Sequence, residues 1–285
     1  MNALKTTALL ATLTALLVAI GYFLAGSSGM VLFFILAVVM NISAYWFSAD
    51  IALRMANARQ VTENEAPQLF QIISEVATEA HLPMPRVAII DSPSPNAFAT
   101  GRNANHAVVA VTTGILGILN RDELQGVLAH ELGHVRNHDI LIASVAATIA
   151  GAITMLAHAA QWAMIFGGFG GGRDDRNSNV FADLLLIILA PLAAMLIQLA
   201  ISRSREYGAD DTGARIIGNP EALASALEKL EMATSVRPLD VNPAVAHMFI
   251  VNPLKGANFS GLFSTHPPLE DRIRRLRAMS LARID

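Results

Sequence analysis

The sequence predicts a mainly α-helical integral membrane protein, with four transmembrane helices and a polar α+β part built on a small sheet. Three observations carry this. The 285 residues are 53% hydrophobic and only 15% charged, against roughly 25% charged in an ordinary soluble domain. Four uncharged apolar segments approach the roughly 20 residues that a bilayer requires. Two polar blocks, 51–139 and 202–285, carry helix and strand patterns and are separated by the second pair of apolar segments.

Residues 1–50 read as an N-terminal transmembrane hairpin, with spans at 6–25 and 30–49 joined by Gly26-Ser27-Ser28-Gly29. The first span is longer than the apolar core of a signal peptide and no small-residue cleavage pattern follows it, so it reads as an uncleaved anchor. Residues 51–139 form the first polar block. An amphipathic helix is expected over 62–81, with Leu69, Ile72, Ile73, Val76 and Ala80 at helical spacing behind Pro67. Strands are expected at 86–90 and 106–112. Between them, 97–101 reads as an edge strand or a loop. Residues 140–201 read as a second transmembrane hairpin, with spans at 140–158 and 184–201, the latter interrupted by Pro191. Ala143, Ala147 and Gly151 give the third span a small-residue ridge suited to packing on the fourth. Residues 202–285 are the second polar block, with a helix from Asn219-Pro220, a short strand at 248–251 and a basic helix over 268–282. Arg54, Arg59, Arg136, Arg203 and Arg205 flank the spans on one side, which places both polar blocks and both termini in the cytoplasm. The two blocks then build one domain.

The net charge of −3 provides no basic field, so nucleic acid is not an expected partner. There are no cysteines, so a metal site has only His and carboxylates to use. The segment 121–136 supplies such residues. Asn120 and Glu123 form a capping-box pattern at its start, and nothing breaks the helix before the third span. His130-Glu131-Leu132-Gly133-His134 lies near its end. Histidines four apart stand one above the other on a helix face, so both imidazoles reach one ion. Glu131, on a neighbouring face of the same turn, is placed to take a proton from water.

A catalytic zinc needs a third protein ligand and one open position. Glu206 is the candidate. It follows the fourth span by five residues, as His134 precedes the third by six. At about 1.5 Å rise per residue, both stand about 8–9 Å from the lipid boundary. Asp210, one helical turn after Glu206, is placed to accept the second ring N–H of His130 or His134. A set of two histidines and one carboxylate also suits ferrous iron, but a general-base glutamate favours hydrolytic zinc.

His130-Glu-Leu-Gly-His134 before one span and Glu206-Tyr-Gly-Ala-Asp210 after the next resemble the HtpX family of membrane zinc metalloproteases. The two N-terminal spans, Asn96-Ala-Phe-Ala99, Thr112-Thr-Gly114 and Ser264-Thr-His-Pro-Pro268 extend the likeness over nearly the whole chain. The zinc motifs are also similar to those of the CAAX prenyl proteases, which have more spans. The HtpX resemblance implies a stress-related quality-control endopeptidase of the bacterial inner membrane, binding one Zn²⁺ per chain and cutting unfolded or misfolded membrane proteins. In the mechanism read from the residues, zinc held by His130, His134 and Glu206 polarises water and the scissile carbonyl. Glu131 moves the proton to the leaving amine. His266, stiffened by Pro267-Pro268, is the expected oxyanion donor. Asn96, Ala97, Phe98 and Ala99 are expected to pair with substrate backbone as an edge strand. The competing reading is a metal-binding membrane chaperone or scaffold without proteolysis, which gives Glu131 nothing to do. A transporter is disfavoured because the spans offer only Asn41, Gln198 and scattered hydroxyls.

Overall fold

A computed structural model describes residues 2–165, 202–236, 239, 241–252 and 267–281. The expected fourth span, 184–201, and His266 lie outside the described residues.

The N-terminal helix α1 (Asn2–Trp46) leaves helical angles at Ala25 (φ −145°) and Gly26 (φ 61°, ψ −142°). The Gly26 conformation is one that side chains exclude, so the chain reverses at the front edge of the expected turn. The two arms lie side by side, and Asn41 Nδ2 donates to Thr14 Oγ1 at 2.8 Å. Among the described residues, only Ala25–Trp46 is both long and apolar enough to cross a bilayer, at 22 residues. Thr6–Ala19 and Ile140–Ile153 are apolar but shorter. Of the three expected spans that fall among the described residues, one meets the length criterion over those residues.

After α2 (Ser48–Met55) come β1 (Ala58–Gln60), α3 (Pro67–Glu79), β2 (Arg86–Ile90), β3 (Ala97–Thr100) and β4 (Val108–Thr112). The expected helix and both expected strands are present, and 97–100 is a strand rather than a loop. The sheet order is β1-β2-β4-β3, with β2 and β4 parallel and both outer pairs antiparallel, so β3 forms an edge. Every residue of β4 is buried because both sheet faces are covered. Val109 and Val111 face a core with Ile73, Val127 and Leu128; Val108 and Ala110 face one with Leu53, Val245 and Phe249.

The short helix α4 (Thr113–Ile118) leads into α5 (Arg121–Arg136). The capping box is present: Asn120 Oδ1 accepts from Glu123 N at 2.9 Å, and Glu123 Oε2 accepts from Asn120 N at 3.0 Å. The expected uninterrupted run into the third span is not found. His138 adopts left-handed angles (φ 60°). His138 N donates to Val135 O, and Asp139 N to His134 O. This paired closure satisfies the last carbonyls of α5, and α6 (Ile140–Ile165) starts afresh.

The remaining helices are α7 (Arg203–Ile217), α8 (Pro220–Val236), α9 (Pro243–Ala246) and α10 (Leu269–Leu281). Ser202 is extended (φ −150°, ψ 124°), and α7 starts at Arg203. Residues 248–251 do not form the expected strand. Ile250 N instead makes a single bond to Ala97 O on the β3 edge, at 3.0 Å. Among the described residues, the small-residue ridge of α6 packs on α2 and α9. A Cβ on Gly151 would meet Met55 Sδ at 3.1 Å and Ala244 at 4.0 Å, and Ala147 lies in the core shared with α2 and α9. Further round α6, Ile142, Val145 and Ile149 pack on Leu9, Leu13 and Leu17 of α1. The start of this expected span is thus sheathed by protein. Ser144 ties it to the sheet, with its Oγ 2.8 Å from Thr100 Oγ1 and accepting from Gly101 N.

Candidate metal centre

Two glycines decide how α5 meets α7. A Cβ on Gly213 would stand 2.7 Å from His130 N, and one on Gly133 would stand 3.0 Å from Ala209 O. The first distance is too short for a side chain and the second leaves room for one only if the neighbour shifts, so the helices cross nearly backbone to backbone. The crossing brings Glu206 of α7 to the two α5 histidines. One ligand atom from each of His130, His134 and Glu206 lies within 4.8 Å of the other two. Glu206 Oε2 is 3.8 Å from His130 Nε2, and Oε1 is 3.5 Å from His134 Nε2.

The outer ring nitrogens are held by carboxylates. His130 Nδ1 lies 2.9 Å from Asp210 Oδ1, so the expected role of Asp210 falls on His130. His134 Nδ1 lies 3.3 Å from Asp139 Oδ2. Asp139 lies just beyond the end of α5. The left-handed turn at His138 brings it back over His134, and nothing in the residue pattern announces that turn. A fully buried arginine, Arg272 of α10, completes the cluster. It donates from Nε and Nη2 to Asp210 at 2.8 and 2.7 Å, and from Nη1 to Ile250 O at 3.1 Å. Its place in a basic terminal helix disguised it as a surface residue.

Charge follows from these contacts. Burial, reinforced by the Arg272 charge, pulls His130 down to about 4, so its ring is neutral and suited to ligation. Burial would raise Asp210, but Arg272 and His130 outweigh it and hold that carboxyl well below the usual range. Burial opposes charge on His134 too, yet Glu206 and Asp139 prevail and raise it to about 9. A proton on His134 thus stands where an electropositive group is wanted. Burial pushes Glu131 up to about 7. Its carboxylate accepts from the backbone of Ala99, while Oε1 is buried without a hydrogen bond among the described residues. Tetrahedral zinc with bonds of about 2.0–2.1 Å spaces its ligands roughly 3.4 Å apart. The two Glu206 separations lie close to that value, and the unbonded Glu131 oxygen leaves an acceptor for water beside it. The residues fit a zinc ion.

The expected substrate strand is only partly available. Asn96 N and O pair with Thr112, and Asn96 Nδ2 donates to Val251 O at 2.8 Å. Phe98 stacks edge-on against Phe249. Ala97 O is taken by Ile250 N. Ala99 alone of the four lines the cavity, with Glu131, His134 and Glu206.

Residues 63–280 match the family model of peptidase family M48. The chain belongs to peptidase family M48, among the HtpX-type proteases. It is 57% identical over 282 residues to a protease HtpX homolog of Syntrophotalea carbinolica, covering 99% of this chain and 100% of that one. A second homolog, from Thermococcus sibiricus, is 56% identical over 279 residues, covering 97% and 96%. The crystal structure of S. mikatae Ste24p overlays 85% of this chain with a TM-score of 0.49 at 22% identity, and this chain spans 57% of that protein's length. The family membership makes this chain a protease, and its buried His-His-Glu cluster accords with a metal-dependent one.

Proposed function

We propose that this chain is a multi-pass plasma-membrane zinc endopeptidase that cuts unfolded or misfolded membrane proteins in quality control. Both polar blocks face the cytoplasm. His130, His134 and Glu206 hold one Zn²⁺, and Glu131 is the general base. The observation that carries this reading is the convergence of three ligand atoms within 4.8 Å beside the buried, unbonded Glu131 Oε1. When bound, zinc supplies Lewis acidity to water and to the scissile carbonyl.

The protein groups do the rest. Asp210 and Asp139 fix the tautomers of His130 and His134 and keep their inner nitrogens as ligands. Arg272 neutralises Asp210, which offsets the cost of burying that charge. Glu131 accepts a proton from water as the oxygen attacks, then delivers it to the departing amine nitrogen. The Ala99 N–H aims the Glu131 carboxylate, and Ala99 is the part of β3 open to a substrate backbone. Main-chain pairing of that kind reads little side-chain sequence, which suits a quality-control enzyme. In this reading the four spans bring the site to membrane-embedded substrates. A chaperone or scaffold that only binds has no use for a carboxyl oxygen buried unbonded beside the ligands.

The deciding experiment is cleavage of an unfolded protein in detergent, with zinc, with chelator and with Glu131→Gln. Cutting that stops with chelator and in Glu131→Gln supports the proposal. Equal cutting by Glu131→Gln and the parent removes it.

A further inference from the structure

Arg205 is a charge with no evident structural reason to be where it is. It sits in the first turn of α7, where the helix dipole disfavours a cation. Its side chain is only 12% exposed, whereas its neighbours Arg203 and Ser204 are exposed. Among the described residues its ion-pair partner is Asp139, with Oδ1 4.0 Å from Nε; Asp139 is already engaged by His134, and Glu206 adds a longer-range attraction. Among the described residues, Arg205 Nη1 is buried with no hydrogen bond. A buried N–H left unpaired costs about 1–3 kcal/mol, and burial here also opposes the charge itself. Arg205 lines the same cavity as Ala99, Glu131, His134 and Glu206. A folded chain that tolerates these costs at one cavity wall has a donor waiting for an acceptor.

We propose that Arg205 is a catalytic residue of peptide cleavage, donating from Nη1 to the scissile carbonyl oxygen and to the oxyanion that this oxygen becomes. The assignment rests on the protease reading above. Water oxygen bonds to the carbonyl carbon and the C=O π pair moves onto the carbonyl oxygen. The Arg205 N–H and its charge stabilise that oxygen. Glu131 carries the water proton to the amide nitrogen, and the C–N bond then breaks while the C=O bond re-forms. Arg205 keeps all its protons throughout. A charged donor in a site of low dielectric acts most strongly on the charge that develops during reaction. Asp139 holds the guanidinium from the Nε side, leaving Nη1 for the substrate.

The test uses the full-length, zinc-loaded protein in detergent. Arg205→Ala and Arg205→Lys are compared with the parent on a fluorogenic peptide, and zinc content and melting temperature are measured alongside. A phosphinic peptide, whose P–O⁻ imitates the oxyanion, serves as a binding probe. Arg205→Ala is expected to lower kcat by about 100-fold, the size of losing one oxyanion donor. KM and zinc content stay near parental values, and the phosphinic peptide binds about 100-fold more weakly. Arg205→Lys recovers part of both losses. A kcat within threefold of the parent overturns the assignment. So does a loss of activity that tracks lost zinc or lost folding in both variants, because Arg205 is then only a counter-ion for Asp139. A parent that does not cut the peptide sinks the protease reading itself. A cutting parent with unaffected variants sinks only Arg205.

Discussion

Arg272 grips both carboxylate oxygens of Asp210, 62 residues away in sequence, with Nε to Oδ2 at 2.8 Å and Nη2 to Oδ1 at 2.7 Å. The pair is almost fully buried, and the same Asp210 oxygen that takes Nη2 also holds His130 Nδ1. Breaking a buried pair from one side leaves an uncompensated charge, at about 3–5 kcal/mol. Arg272→Met is therefore expected to lower unfolding free energy by that amount in a denaturant titration. It should also weaken zinc binding, because Asp210 loses the group that fixes it. Unchanged stability in Arg272→Met would contradict the geometry.

Asp139 should matter through metal. It reaches His134 Nδ1 from just beyond the end of α5, after the left-handed turn at His138. Loss of such a carboxylate partner typically costs 10–100-fold in metal affinity. Competition with a zinc chelator should show a loss of that size for Asp139→Ala. An affinity equal to the parent's would mean that His134 is oriented without it.

The helix crossing can be probed with single methyl groups. Gly213→Ala places a Cβ 2.7 Å from His130 N, so α7 must move away from α5 and take Glu206 with it. Overpacking of this kind costs about 1–3 kcal/mol, and zinc content should fall with stability. Gly117→Ala is the control, because nothing lies within 4 Å of its Cβ. It should leave zinc binding intact and leave stability equal or up to about 1 kcal/mol higher.

Glu123 predicts a pH dependence of stability away from the metal. Burial would raise its pKa, but Lys229 Nζ at 2.7 Å and the Asn120 backbone N–H outweigh it, so the folded value lies below the ordinary 4.5. A depressed carboxylate stabilises the fold above its unfolded pKa and loses that contribution as pH falls through the folded one. The parent should lose stability more steeply than Glu123→Gln on acidification below about pH 4.5, read from denaturant midpoints across pH. Parallel curves would show that the Lys229 contact contributes nothing.

The expectations that succeeded have local causes. The capping box at Asn120 and Glu123 needs only a three-residue spacing, and it formed. The spacing of His130 and His134, and of Glu206 and Asp210, is one helical turn, so each pair was visible wherever a helix was. The missed residues depend on contacts between elements. Asp139 requires a non-glycine residue to turn left-handed, which few residues do. Arg272 requires α10 to pack against α7 and α8 with one of its several arginines turned inward. The Ile250 bond to Ala97, which takes part of the expected substrate edge, joins segments about 150 residues apart in the chain. No periodicity reports such a contact.

The sequence by itself determined the ligand types, their placement in pairs on two helices and the apolar character of the flanking segments, because helix geometry repeats every 3.6 residues and the absence of cysteine limits the donors. Only the tertiary structure decided that the pairs meet, which carboxylate holds which histidine, and that a buried arginine closes the cluster. The physical reason lies at Gly133 and Gly213. Their missing side chains let two helices approach to backbone contact, and that distance is set by packing between residues far apart in the chain.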